Sequence, residues 1–130
     1  MSWIEAVAQY LEDEDFGVAG TNLFIGQLPD TEGFAILLTE YNGNIIETFR
    51  TGTSLYQPML QVKTQGLTGD YATPRDSLKA IQTALAGITN QTLSGIHFKR
   101  IKPSTTILSL GQDDTLVFEF TANFEVTYEE

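Results

Sequence analysis

"LYQPMLQVKTQG", residues 55–66, carries the pattern on which the fold turns. Tyr56, Leu60 and Val62 fall on one side of an extended chain, with Pro58 and Thr64 in phase; Gln57, Met59, Gln61, Lys63 and Gln65 fall on the other. Successive side chains of a strand point to opposite faces, so the alternation predicts a strand with one face on a core and one polar, weakly charged face. Pro58 has no N–H to give to a ladder, which predicts that it sits at a strand start, a bulge or an edge.

Downstream, a turn over Gly66 to Tyr71 leads into Thr73-Pro74-Arg75-Asp76. That sequence reads as an N-cap, a proline at the first helical position and an acid three residues after the cap. Leu78, Ile81, Leu85 and Ile88 form the apolar stripe of the helix, and Gly87 supports its end. "GIHFKRI", "TTILSL" and "LVFEFTANFEVTY" then read as strands, separated by Pro103 and by a hairpin turn at Gly111-Gln112-Asp113-Asp114. In the last run Leu116, Phe118, Phe120, Ala122, Phe124, Val126 and Tyr128 share a face. At about 3.3 Å per residue that run spans roughly 43 Å. A strand so long either bends round the helices or leaves the domain to pair with something else.

Upstream, Ser2-Trp3-Ile4-Glu5 is a capping box that predicts a helix start. Trp3, Ile4, Val7, Tyr10 and Leu11 recur at helical spacing, and the helix should end near Glu12. Glu12, Asp13, Glu14 and Asp15 follow at the helix C-terminus, where the macrodipole favours cations. They read either as a solvated turn or as a surface that meets a charged partner. Residues 16–28 predict a short strand running into a Pro29-Asp30 turn, and Phe34 to Leu38, continuing to Tyr41, a buried central strand. Asn42-Gly43 or Gly43-Asn44 offers a tight turn from which "IIETF" pairs back.

Composition sets the outer bounds. The chain has 130 residues, 42% of them apolar, enough for one α+β domain over 1–130 in which a mixed, mostly antiparallel sheet packs against two helices, with a long C-terminal hairpin. With no span of membrane length and no signal-like start, the expectation is a soluble, intracellular protein. Cysteine is absent, which removes disulfides, thiolate metal sites and a thiol nucleophile. A net charge of −10 argues against general nucleic-acid binding, which depends on cations that displace phosphate counterions. No cofactor, metal site or catalytic set is predicted. The one histidine, His97, has no evident partner, Asp113-Asp114 sits in a turn, and none of the common phosphate-loop or nucleophile motifs occurs.

Lys99, Arg100 and Lys102 are three of the seven basic residues, within four positions. They read as a hydrated strand edge or as one side of a head-to-tail contact with Glu12 to Asp15 of a neighbouring copy, the type of contact that closes rings. Gln57, Gln61 and Gln65 mark a sheet face turned toward a neighbour or a channel.

The order of these pieces resembles the tail terminator and minor capsid proteins of long-tailed bacteriophages. The N-terminal helix, "FIGQLPD", "YQPMLQVKTQG", "TPRDSLKAIQTALAGI" and "FEFTANFEVTYE" carry the resemblance; its most telling part is the strand with Pro58 and Gln61-Val62, then Gly66, then a helix with Ala80 and Leu85. Residues 90–111 carry none of it. The resemblance implies a structural virion protein assembled in the host cytoplasm, a homo-oligomer forming a hexameric ring. That ring would cap the head-proximal end of the tail tube, stop polymerisation and join the tube protein to the head connector or stopper. DNA would pass through without specific binding, helped by an acidic lumen. Another neck component is the alternative within the same class. Outside it stand a ligand-binding domain built on Phe118, Phe120 and Phe124, and an enzyme using His97.

Overall fold

A computed structural model describes residues 1–29, 33–48, 54–113 and 115–129, the side chains of 44–48 excepted. Ser2 caps the first helix, α1 (Trp3–Asp13): its Oγ accepts from the Glu5 N–H at 3.3 Å, while the Glu5 carboxylate accepts from the Ser2 N–H at 3.0 Å. Trp3, Ile4, Val7 and Leu11 are buried, as their spacing predicts. Each such side chain contributes about 1.5–3 kcal/mol relative to exposure. After α1 come β1 (Leu23–Ile25), β2 (Ala35–Thr48), β3 (Ser54–Thr68), α2 (Ala72–Ala86), β4 (Thr89–Leu93), β5 (Ile96–Pro103), β6 (Leu108–Gln112) and β7 (Val117–Glu129).

The strands form one sheet in the order β1-β2-β3-β7-β5-β4, with β6 paired to β7 beside β5. Only β1 and β2 run parallel among these pairings, so the fold is α+β with a mixed, mostly antiparallel sheet. The face with Leu60, Val62, Phe120, Ala122, Phe124 and Val126 meets both helices in one continuous apolar core. α1 touches β1 and β2 near one edge and β4 at the other. Six strands at about 4.8 Å spacing would put those edges roughly 24 Å apart in a flat sheet, beyond the reach of a helix about 10–12 Å wide. The sheet therefore curls around the helices.

β7 shows how the long strand is accommodated. β3 flanks it on one side; on the other, β6 pairs with residues 118–121 and β5 with 124–129. The strand is thus internal to the sheet. The expected long hairpin is short, since β6 has five residues, and Leu116 belongs to the turn, at φ 61° and 57% exposed. Asp113 organises that turn by accepting from Thr115 and Val117, while Asp114 lies outside the described residues.

Four further expectations are corrected. β2 does not turn at Asn42-Gly43 but runs through to Thr48, and the positive φ values of Asn42 (51°) and Gly43 (150°) serve a bulge opposite Pro58. A proline lacking its N–H fits where the ladder is already interrupted. Phe49 of "IIETF" lies outside the described residues. β2 is also second from the sheet edge, flanked by the three-residue β1, so it is not the central strand. β3 passes Gly66 and continues to Thr68, and α2 starts at Ala72; Thr73 is not the cap, because the Asp70 carboxylate accepts the Thr73 N–H at 3.1 Å. Finally, β4 and its hairpin with β5, turning at Ser94 (φ 49°) and Gly95 (φ 82°), had no place in the sequence reading.

Candidate functional site

The acidic run closes α1. The Phe16 N–H donates to the Leu11 carbonyl at 2.9 Å and the Asp15 N–H to the Glu12 carbonyl at 3.0 Å, with Asp15 at φ 63°. This is a Schellman ending with aspartate at the left-handed position, which short polar side chains tolerate. The Glu12 carboxylate accepts from the Ala19 N–H at 2.8 Å, and Asp13 from the Gln9 amide at 2.9 Å. Two of the four carboxylates therefore shape the turn. Glu14 and Asp15 are exposed, and no hydrogen bond or ion pair engages their carboxylates among the described residues. Burial, then the Glu14 charge, holds the Tyr10 hydroxyl above its ordinary value.

The sheet face away from the helices is a ladder of paired charges. Lys63 meets Glu119 at 2.7 Å, Lys99 meets Glu129 at 2.7 Å and Arg100 approaches Glu125 at 3.8 Å. Gln57 donates to Glu125 as well. A register shift between Phe98 and Arg100 adds a residue to β5, and the successive cations Lys99 and Arg100 both reach carboxylates of β7. The Lys99 ammonium holds the Glu129 carboxyl below its ordinary value. Gln61 and Gln65 lie on this face beside Lys63, so the three glutamines are brought together with the β7 glutamates. Lys102 is exposed and forms no ion pair among the described residues.

The basic trio and the acidic run are not in contact within the chain. The N-terminus of α1 lies against Glu129, through a small hollow that Ser2, Trp3 and Gly95 also line. The acidic run is at the other end of the helix, about 16 Å away. A larger groove of about 770 Å³ lies between α2 and the connection from β5 to β6. Arg75, Lys79, Gln82 and Ala86 form one wall and Pro103 to Ile107 the other. The periodicity of α2 marks its buried stripe but not what would face its exposed one, so sequence reasoning missed this groove.

His97 Nδ1 lies 3.2 Å from Thr92 Oγ1, and among the described residues no group of three or more His, Cys, Asp or Glu side chains could hold a metal ion. Phe120 and Phe124 are buried in the core, and Tyr71 stands edge-on to Phe118 and Phe120. Neither groove is lined by these phenylalanines. No helix among the described residues is long and apolar enough to cross a membrane.

The outer face of the curled sheet is polar, with its charges paired. Residues 10–130 match the family described as bacteriophage tail terminator protein, and the chain belongs to that family. Its fold is shared with a chain in the structure titled "Virion of native gene transfer agent (GTA) particle": TM-score 0.71 at 13% identity, covering 99% of this chain and 96% of that one. No curated protein matches. The protein is a structural component of a phage tail and resides in the virion.

Proposed function

We propose that residues 1–130 act as one domain that assembles into a ring, a hexamer, at the head-proximal end of the tail tube. The ring stops tube polymerisation, joins the tube to the head connector or stopper and leaves a channel for DNA. It assembles in the host cytoplasm and performs no catalysis. Membership of the terminator family over residues 10–130 carries this reading.

The open sheet face suits a surface turned toward a neighbour or the channel. Gln57, Gln61 and Gln65 are polar without charge, and the carboxylates of Glu119, Glu125 and Glu129 are each matched by a cation. A channel lined by this face would be close to neutral in place of the acidic lumen expected from the net charge, and would still give a passing duplex little to adhere to. For contacts between copies, Glu12 to Asp15 form one side. Of the basic trio, Lys99 and Arg100 already hold Glu129 and Glu125, which leaves Lys102 as the cation of that group available to a second chain.

The test is tail length in particles lacking this protein, viewed by electron microscopy. A terminator's loss gives tubes that overrun their normal length and do not join heads. Tubes of normal length that fail only at joining would assign the protein to the stopper or head-closure position instead.

A further inference from the structure

We propose that the groove between α2 and residues 103–107 is the socket for a second copy of this chain, occupied by the neighbour's segment from Glu14 to Val18. The inference rests on the ring reading above and names the surface through which the ring closes.

The cations point to it. Of the six basic residues whose side chains are described, Lys63, Lys99 and Arg100 are held in ion pairs within the chain. Among the described residues Arg75, Lys79 and Lys102 have no such partner, and two of those three line the groove. Arg75 and Lys79 are one helical turn apart, so their side chains emerge side by side. Arg75 also stands in the first turn of α2, where the helix dipole makes a cation unfavourable, and the Asp70 carboxylate ahead of that turn is taken up by the Thr73 N–H. An incoming carboxylate relieves both conditions.

The other features fit a peptide more closely than a phosphate backbone. The groove also has apolar lining, at Ala86, Pro103 and Ile107. Its second wall is fixed in advance: the Ser104 N–H donates to the Asn123 carbonyl at 2.9 Å, the Asn123 N–H to Thr105 Oγ1 at 3.1 Å, and the Gln82 amide crosses to the Thr105 carbonyl at 3.2 Å. Little ordering is left to be done on binding. The proposed occupant combines the matching characters, acidic and apolar. Glu14 and Asp15 offer two unengaged carboxylates, and Val18, 54% exposed, follows three residues later. Plug and socket are different surfaces of one chain, so the contact is head-to-tail and can close a ring.

The chain has no cysteine, so introduced thiols report without interference. Glu14→Cys protein mixed with Lys79→Cys protein under mild oxidation should give a covalent dimer containing one of each, with neither variant linking to itself. Arg75→Glu/Lys79→Glu should raise the concentration at which rings form by about tenfold or more, as two attractive pairs become like-charge contacts. Adding Glu14→Lys and Asp15→Lys to that variant should recover most of the loss, and circular dichroism checks that each variant is folded. Rings that form normally in the charge-reversed variant, with no mixed disulfide, would overturn the socket while leaving the terminator reading intact. A native protein that stays monomeric at every concentration and gives no mixed disulfide would also overturn it; the terminator reading would then stand or fall separately on tail length.

Discussion

Thr64 Oγ1, wholly buried in the middle of β3, donates to the Pro74 carbonyl in the first turn of α2 at 2.8 Å. One hydroxyl thereby fixes the height and rotation of the helix that carries Arg75 and Lys79. Thr64→Val keeps the shape and removes the donor, and should cost about 1 kcal/mol, the net value of an ordinary hydrogen bond. Urea unfolding measures it. A variant as stable as the parent would mean that the bond does not hold α2.

Gly66, two residues on, leaves room for the same proline. A Cβ placed there would lie 2.9 Å from Pro74 Cδ, a ring atom with little freedom to move. Gly66→Ala should therefore destabilise by about 1–3 kcal/mol through overpacking, and should weaken ring formation if α2 shifts.

Gly43→Ala tests the bulge. At φ 150° an L side chain is strained, and the new Cβ would stand 3.0 Å from Pro58 Cα, a backbone atom. A loss of about 1–3 kcal/mol is expected. An unchanged unfolding midpoint would show that this stretch relaxes freely.

Acid should loosen the fold in a defined window. Three carboxyls are held below their ordinary values: Glu129 by Lys99, Asp113 by Thr115 and Val117, and Glu5 by the Ser2 backbone and side chain. A depressed carboxyl contributes stability that is fully present above its unfolded pKa, 4.5 for Glu and 3.8 for Asp, and is lost as pH falls through the lower folded value. Stability should therefore hold from neutrality down to about pH 5 and fall below it. Lys99→Met should flatten that fall, as seen in urea midpoints across pH.

His97→Ala should change stability by no more than about 0.5 kcal/mol and leave assembly intact, since its described hydrogen-bonding partner is the exposed Thr92. Loss of tail completion in particles carrying this variant, with the protein still folded, would reopen a chemical role for the ring.

Much of this protein was determined by local sequence. The capping box at Ser2 and Glu5, the stripe Leu78, Ile81 and Leu85 and the alternation of β3 and β7 each follow from a repeat of side chains against a fixed backbone period, which a single segment can express, whereas Ile88, expected on that stripe, lies beyond the end of α2. Position within the sheet was decided only by tertiary structure. Asn42-Gly43 has the chemistry of a hairpin turn, yet long-range pairing with β3 absorbed its positive φ values into a bulge. The four carboxylates after Leu11 showed as a charge run, but their division into two that shape the turn and two that face outward depends on where Gln9 and Ala19 come to rest. Lys99 and Arg100 looked free because their partners, Glu129 and Glu125, are about 25 to 30 residues away in sequence and become neighbours only when β5 and β7 align. Arg75 and Lys79 drew no notice on a helix surface until the connection after β5 folded against them and made a groove. Periodicity records which side of a segment is apolar; which charges neutralise one another, and which are left for a neighbour, depends on distances that only the packed chain defines.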